Sequence, residues 1–177
     1  LQRVVISLLQ NIDAASDNTI IIASTNHEQL LDPAVWRRFS FRIPMPLPDQ
    51  HQRELIWKSR LKNMLSNELD LCDLAKKSEG LSGAIIEQVS LDARRDAVIA
   101  GDKKIINHKL YRRLYLAQSL IDGVNLHTYE DEICWLRSKD KKIFSIRVLA
   151  ELYGLSARVI SNVLKESGSN EQKGHTG

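Results

Sequence analysis

The chain has 177 residues, of which 43% are hydrophobic and 27% are charged, so its composition is that of a globular protein with ample material for a core. Its formal net charge of +3 is too small to indicate a nucleic-acid partner by itself. Cys72 and Cys134 stand far apart, which excludes a disulfide framework and favours a reducing compartment. The histidines show no metal-ligand spacing, and no apolar run approaches the roughly 20 residues of a membrane span. We therefore predict a cytoplasmic protein without a metal site or a membrane partner.

The first 48 residues alternate between helical and strand patterns. Residues 1–13 place five apolar residues at helical spacing, which predicts a helix with one buried face (Val4, Val5, Leu8, Leu9 and Ile12). Residues 19–23 form a short β-branched run, typical of a strand buried on both faces, and Asn26 follows its end. Asp32 and Pro33 predict the start of a helix over residues 33–39. A last strand is expected over residues 40–45, before a proline-rich boundary close to Leu47.

Residues 49–116 are predicted to be entirely helical. Asp49 is expected to cap a helix over residues 50–65, and a short helix over 71–78 ends before Gly80. Ser82 is expected to cap a long helix that ends at Ala100, before Gly101. An amphipathic helix over residues 108–120 should bury three leucines and an alanine and leave two tyrosines near the rim (Leu110, Leu114, Ala117 and Leu120, with Tyr111 and Tyr115).

The remaining residues divide into a linker, a basic module and a tail. We predict a linker over residues 117–136, a helix-turn-helix module over 137–166 and a disordered tail over 167–177. The basic module carries seven Lys/Arg against three acidic residues. Ala150 suits a close helix crossing, Gly154 suits a turn with positive φ, and Ser156 suits the cap of the second helix.

If the second helix of this module enters a DNA major groove, the exposed side of its N-terminal half would face the bases. Arg158 suits guanine and Asn162 suits adenine. The candidate DNA-binding residues are Ser156, Ala157, Arg158, Ser161, Asn162 and Lys165. Helix-turn-helix folds also serve as docking or packing modules, so protein contact or oligomerisation remains an alternative.

An ordered string within the first 49 residues resembles the AAA family of ATPases. The string consists of Ala23-Ser24-Thr25-Asn26, Leu31-Asp32-Pro33-Ala34-Val35-Trp36-Arg37-Arg38-Phe39 and Pro46-Leu47-Pro48-Asp49. Further along, Gly80-Leu81-Ser82-Gly83-Ala84-Ile85-Ile86 resembles the family's G-x-S-G-A-[DE]-[IL] string, although Ile85 replaces the usual acidic residue. The resemblance implies the C-terminal part of an α/β P-loop NTPase domain (AAA+) over residues 1–48 and an all-α lid over 49–116, so that with the helix-turn-helix module the chain is mostly helical.

The resemblance also implies the roles of individual residues. Asn26 matches the sensor-1 residue, which positions the attacking water. Arg37 and Arg38 match the arginine-finger positions, which reach the nucleotide of a neighbouring subunit. Gly83 and Ala84 match residues that contact the nucleotide. The alternatives are a turn residue at Asn26, a solvated arginine pair, and tight helix packing at Gly83 and Ala84.

Two motifs that the AAA family needs for hydrolysis are absent from the sequence: the phosphate-binding loop G-x-x-x-x-G-K-[ST] and the acidic pair that holds Mg²⁺. We therefore expect a C-terminal fragment of an ATPase that uses ATP and Mg²⁺, inactive as it stands. The resemblance implies a homo-oligomeric ring, expected to be a hexamer, that remodels a protein or nucleoprotein target, with double-stranded DNA as a candidate partner. The alternative is a DNA-binding adaptor or regulator on a non-hydrolysing AAA scaffold.

Overall fold

The computed structural model describes residues 2–16 and 18–171. The chain divides into two compact units, Leu1–Pro46 and Leu47–Gly177, and each is described by itself. Helices are the regular elements of the described residues. The first unit contains α1 (Gln2–Asp13) and α2 (Pro33–Trp36). The second contains α3 (Gln50–Leu61), α4 (Leu71–Lys77), α5 (Gly83–Ala100), α6 (Asn107–Ile121), α7 (Tyr129–Lys139), α8 (Ile146–Tyr153) and α9 (Ala157–Glu171).

The helix start predicted at Asp32 is confirmed. The Asp32 carboxylate accepts a hydrogen bond from the Ala34 amide at 2.7 Å, and Pro33 occupies the first helical position. Helix α2 is shorter than predicted, because it ends at Trp36. Arg38 follows it and binds Asp13 at the end of α1 through two hydrogen bonds, Nε to Oδ1 at 2.9 Å and Nη2 to Oδ2 at 2.7 Å. This bidentate ion pair ties α1 to α2.

The two strands predicted in the first unit are wrong for the described residues. Residues 19–25 and 40–46 have no regular secondary structure. Ile20 and Ile22, expected to be buried on both faces, are 88% and 89% exposed. The physical reason is that a strand is stabilised by a hydrogen-bonded partner, and the described residues of this unit supply no neighbouring strand. The face predicted for α1 is only partly covered: Val4 and Leu8 are 71% and 47% exposed, and its other three apolar residues are half-buried.

The helix ends predicted in the second unit are mostly confirmed, because local hydrogen bonds determine them. Asp49 and Gln52 form a reciprocal capping box at the start of α3. The Ser82 hydroxyl accepts from the Ile85 amide at the start of α5, and Gly101 ends that helix in the left-handed conformation with φ +76°. A 3₁₀ turn, Lys62–Met64, replaces the predicted last turn of α3.

Helix α6 buries Leu110 and Leu114 as predicted, but the rest of its buried face differs from the prediction. Tyr111 and Tyr115 are only 4% exposed, whereas Leu120, predicted to face inward, is 79% exposed. The Tyr111 hydroxyl donates to Asp73 at 2.7 Å, so its burial leaves no unpaired polar group at that position. Burial of the phenol raises the pKa of Tyr115 to about 12.

Helix α7 lies where a linker was predicted, so the linker assignment of residues 129–136 is wrong. Thr128 and Asp131 form a capping box at its start, and both Ile133 and Leu136 are fully buried. The boundary at residue 137 therefore falls inside a helix. The tail prediction is wrong for residues 167–171, which belong to α9, and residues 172–177 lie outside the described residues.

The buried apolar residues of α3–α6 and of α7–α9 form one hydrophobic cluster. Phe144, in the connection between α7 and α8, is fully buried, and its ring meets that of Tyr115 edge-on with the centroids 5.9 Å apart. The Trp135 indole N–H donates to the Tyr115 carbonyl oxygen at 2.8 Å. The C-terminal helices α7–α9 are therefore packed onto α6 and share its core.

We expect Phe144→Ala to lower the free energy of unfolding of the second unit by about 3–5 kcal/mol, because it leaves a cavity in this shared core. Phe41→Ala is the matched control, since Phe41 is 88% exposed, and a change within about 0.5 kcal/mol is expected there. Chemical denaturation followed by circular dichroism measures both values. Equal effects of the two substitutions would contradict the shared core.

We expect Arg38→Ala to speed amide hydrogen exchange in α2 at pH 7, because it removes the ion pair with Asp13. Arg37→Ala is the control and should leave exchange unchanged. The hydrogen bonds from Arg38 hold the pKa of the Asp13 carboxyl below its ordinary value. The contribution of the pair is therefore fully present above the ordinary aspartate pKa of about 3.9 and is lost as the pH falls through the lower folded value. A difference between the two variants that persists in strong acid would contradict this assignment.

Candidate functional site

Asn26 lies in an exposed bend between the extended residues 19–25 and a 3₁₀ turn, Glu28–Leu30. The His27 amide donates to the Thr25 hydroxyl at 3.0 Å, and this bond shapes the bend. Within the described part of the chain the Asn26 amide group has no hydrogen-bond partner. It is therefore available to a ligand, and the local structure leaves its predicted role untested.

The structure separates the two arginines that the sequence analysis treated alike. The Arg38 guanidinium is bound within the first unit. It pairs with Asp13, and its Nη1 donates a hydrogen bond to the Ala34 carbonyl oxygen at 3.0 Å. Arg37 is exposed, and its guanidinium forms no hydrogen bond or ion pair with the described residues. Of the pair, Arg37 is thus the one whose charge is free to meet an anion.

A third arginine lies close by and was missed in the sequence analysis. The Arg42 guanidinium lies 4.9 Å from the centre of the Trp36 ring, and its Nη2 is 3.4 Å from the Trp36 carbonyl oxygen. This cation–π contact places a second exposed positive charge beside α2. The spacing of six residues belongs to no regular element, so no periodicity could have indicated it.

Gly83 and Ala84 form the first turn of α5, directly after the Ser82 cap. A Cβ atom added to Gly83 would meet the Cδ1 atom of Ile56 at 3.6 Å, an ordinary van der Waals distance. Ala84 is exposed. Tight helix packing, the alternative explanation for these small residues, is therefore not required by the structure. What remains is an open surface at a helix N-terminus, where backbone amides favour anions.

The candidate DNA-binding residues lie at the start of α9 and mostly on its exposed side. Ser156, Ala157, Arg158, Asn162 and Lys165 are exposed, and Ser161 is half-buried. Ile160 and Val163 are buried on the opposite side. The Val159 amide approaches the Ser156 hydroxyl at 3.4 Å, and Gly154 has the predicted positive φ, at +64°.

Six of the seven basic residues of this region divide into two groups. Arg137 and Lys139 hold the fold: Arg137 donates to the carbonyl oxygens of Lys141 and Phe144, and Lys139 pairs with Asp122 at 3.2 Å. Four other basic side chains are exposed and form no ion pair with described residues: Lys141, Lys142, Arg147 and Arg158. Some of the positively charged residues counted in the sequence therefore stabilise the fold and are not available to a partner.

The described residues include neither a metal site nor a membrane-spanning helix. Among the described residues no group of three or more His, Cys, Asp or Glu side chains is placed to hold a metal ion. The same residues include no helix that is long and apolar enough to cross a membrane. Asn26 and the arginines belong to the first unit, whereas Gly83, Ala84 and the α9 residues belong to the second.

The first part of the chain is similar to known proteins. Residues 1–47 match the family described as "ATPase family associated with various cellular activities (AAA)". A proteasome-activating nucleotidase of Methanopyrus kandleri is 39% identical over 102 residues, which are 55% of this chain and 23% of that protein. A 26S proteasome regulatory subunit 6B homolog of Dictyostelium discoideum is 37% identical over 102 residues, 55% of this chain and 25% of that protein. A proteasome-activating nucleotidase of Saccharolobus islandicus is 39% identical over 110 residues, 59% of this chain and 28% of that protein.

The chain thus spans about a quarter of the length of these curated relatives. The family match includes Asn26, Arg37 and Arg38, the residues that carried the resemblance in the sequence. Over residues 1–47, the chain is similar to the AAA family of ATPases.

Proposed function

We propose that the chain is part of a AAA ATPase subunit that couples ATP hydrolysis in a ring, expected to be hexameric, to the remodelling of a protein or nucleoprotein target. The observation that carries the proposal is Arg37, an exposed guanidinium that has no partner among the described residues and lies within the segment that matches the family. The similarity to relatives named as proteasome-activating nucleotidases supports a protein as the target.

In this proposal each site residue has a definite task. Phosphoryl transfer spreads negative charge over the oxygens of the transferred group, and a guanidinium stabilises that charge without needing to exchange a proton. Arg37 supplies this charge to the nucleotide of a neighbouring subunit, while Arg38 holds Arg37 in place through its bond to Asp13. Asn26 orients the attacking water with its free amide. Gly83 and Ala84 let the backbone of α5 approach the nucleotide.

The residues present fit ATP as the cofactor, because a free guanidinium and an open helix N-terminus both favour anionic phosphates. When bound, Mg²⁺ neutralises charge on the phosphates. The proposal assigns the phosphate loop and the Mg²⁺ ligands to sequence that these 177 residues do not contain. The chain by itself is therefore expected not to hydrolyse ATP.

We expect Arg37→Ala to lower kcat by about a thousandfold or more in the ATP-hydrolysing protein that carries this chain, while ATP binding is largely kept. Arg38→Ala should have a smaller effect, since it acts through the position of Arg37. Steady-state turnover and a nucleotide-binding assay measure the two properties. Arg147→Ala is the control, because Arg147 is also exposed but lies in α8. Wild-type turnover in the Arg37 variant would refute its role.

A second candidate function, a DNA-binding adaptor or regulator with a non-hydrolysing AAA scaffold, is favoured by helices α8 and α9. Three observations suit a helix-turn-helix that contacts a duplex: the positive φ of Gly154, the exposure of Arg158 and Asn162, and the exposed cations Lys141, Lys142 and Arg147, which form no ion pair with described residues. If these side chains contact bases directly, Arg158 would recognise guanine and Asn162 would recognise adenine. The same face could instead dock an acidic protein surface.

We expect the chain to bind duplex DNA with strong salt dependence, because phosphate contacts release counterions. Arg158→Ala should weaken binding by about 1–3 kcal/mol if it contacts a base. Fluorescence anisotropy at several salt concentrations measures both effects, with Lys58→Ala in α3 as the control for an exposed cation elsewhere. Absence of binding at low salt would remove the DNA hypothesis and leave a protein partner for this face.

A further inference from the structure

Lys77, the last residue of α4, joins two parts of the second unit. Its ammonium group lies 2.6 Å from Asp73 in the same helix and 3.1 Å from Asp140, the residue that ends α7. The side chain of Asp140 is only 13% exposed, and that of Lys77 is 26% exposed. The pair therefore lies in a partly desolvated position, where a charge–charge contact is stronger than on an open surface.

Asp140 uses its two carboxylate oxygens for different purposes. Oδ1 accepts hydrogen bonds from the amides of Lys142 and Ile143, each at 2.9 Å, and so shapes the turn between α7 and α8. Oδ2 faces Lys77. Burial alone would raise the pKa of Asp140, but the Ile143 amide and Lys77 more than offset it, so the pKa lies below its ordinary value. One carboxylate thus connects the turn before α8 to the end of α4.

The end of α4 leads directly to the residues proposed to contact nucleotide. Five residues, 78–82, separate Lys77 from Gly83. Ser78 is fully buried, and its hydroxyl accepts from the Trp57 indole N–H at 2.9 Å and donates to the Ala75 carbonyl oxygen at 3.1 Å. Gly80 adopts a positive φ of +80°, and Leu81 is 1% exposed. The turn is therefore a fixed structure whose position depends on where α4 ends.

The backbone of Lys77 is held as well as its side chain. The Gln118 side-chain amide in α6 donates to the Lys77 carbonyl oxygen at 2.7 Å. The side-chain ammonium group and the backbone carbonyl group of Lys77 therefore both hold the start of the turn. By contrast, the ion pairs Arg112–Glu132 and Lys139–Asp122 also link α7 to the region of α6, but neither contacts α4 or the turn.

We propose that Asp140, acting through Lys77, is a positioning residue for the turn 78–82 and hence for the nucleotide-contacting Gly83 and Ala84. The proposal rests on the function proposed above, since that function assigns nucleotide to Gly83 and Ala84. It gives the C-terminal helices a direct influence on nucleotide affinity. Because coupling between binding sites is reciprocal, nucleotide at Gly83 would in turn affect what binds to α8 and α9.

The first test uses amide hydrogen exchange on the 177-residue chain without nucleotide. Asp140→Asn keeps an oxygen that can accept from Lys142 and Ile143 but removes the charge that holds Lys77. We expect this substitution to make exchange in residues 78–84 roughly two- to tenfold faster. Lys77→Met should give the same change, and the variant that carries both substitutions should exchange no faster than either single variant. Lys77→Arg, which keeps the charge, should restore slow exchange.

Asp122→Asn is the matched control, because it removes the ion pair with Lys139 at 3.2 Å, which does not reach the turn. Residues 78–84 should exchange at the wild-type rate in this variant. Unchanged exchange of residues 78–84 in Asp140→Asn would overturn the proposal. So would an equal acceleration throughout α3–α9, since that would show general destabilisation only.

The second test uses the ATP-hydrolysing protein that carries this chain. We expect Asp140→Asn to raise the KM for ATP several-fold and to leave kcat within about twofold of wild type, the reverse of the effect expected for Arg37→Ala. A change in exchange without a change in KM would also overturn the positioning role. A wild-type protein without ATP turnover would instead refute the proposed function, and the exchange result on the turn would stand separately.

Discussion

The edge-on contact between the rings of Phe144 and Tyr115 is the interaction on which the second unit depends. It continues the core of α3–α6 into the C-terminal helices, so that residues expected to form a separate module share one set of buried contacts with the rest. The polar contacts around it have the same effect: Trp135 donates to the Tyr115 backbone, and Lys77 meets Asp140. A change in the turn 78–82 and a change on the face of α9 therefore act on one packed body.

The features that the sequence predicted well are those determined by neighbouring residues. Asp32 with Pro33, Ser82 with Gly101, and the positive φ of Gly154 each follow from a hydrogen bond or a steric preference within a few positions. The features predicted wrongly depend on residues far away in the sequence. The strands lack a pairing partner among the described residues. Tyr111 of α6 is buried because Asp73, 38 residues before it, accepts a hydrogen bond from its hydroxyl group. In α7, the apolar run over residues 133–136 is only four residues long and has charged residues on both sides, so the sequence gives little sign of a buried helix.

The candidate sites show the same division. The sequence indicates Arg37 and Arg38 as a pair, and it cannot assign different tasks to adjacent arginines. The difference arises from Asp13, 25 residues before Arg38, whose carboxylate fits one guanidinium and leaves the other exposed. In the basic region, the count of positive residues likewise exceeds the number that is available to a partner, because carbonyl oxygens and Asp122 bind Arg137 and Lys139. The number of basic residues in the sequence therefore does not give the number of positive charges that a partner can reach.

The exposed apolar side chains of the first unit have a practical consequence for work with this chain in solution. Ile22, Phe41, Ile43 and Met45 are each more than 80% exposed, and they lie on extended backbone without a strand partner. Such segments add readily to one another as intermolecular strands. Self-association that increases with concentration is therefore expected to begin in this unit rather than among the capped helices that follow it, and dilute samples will give the most faithful view of the monomer.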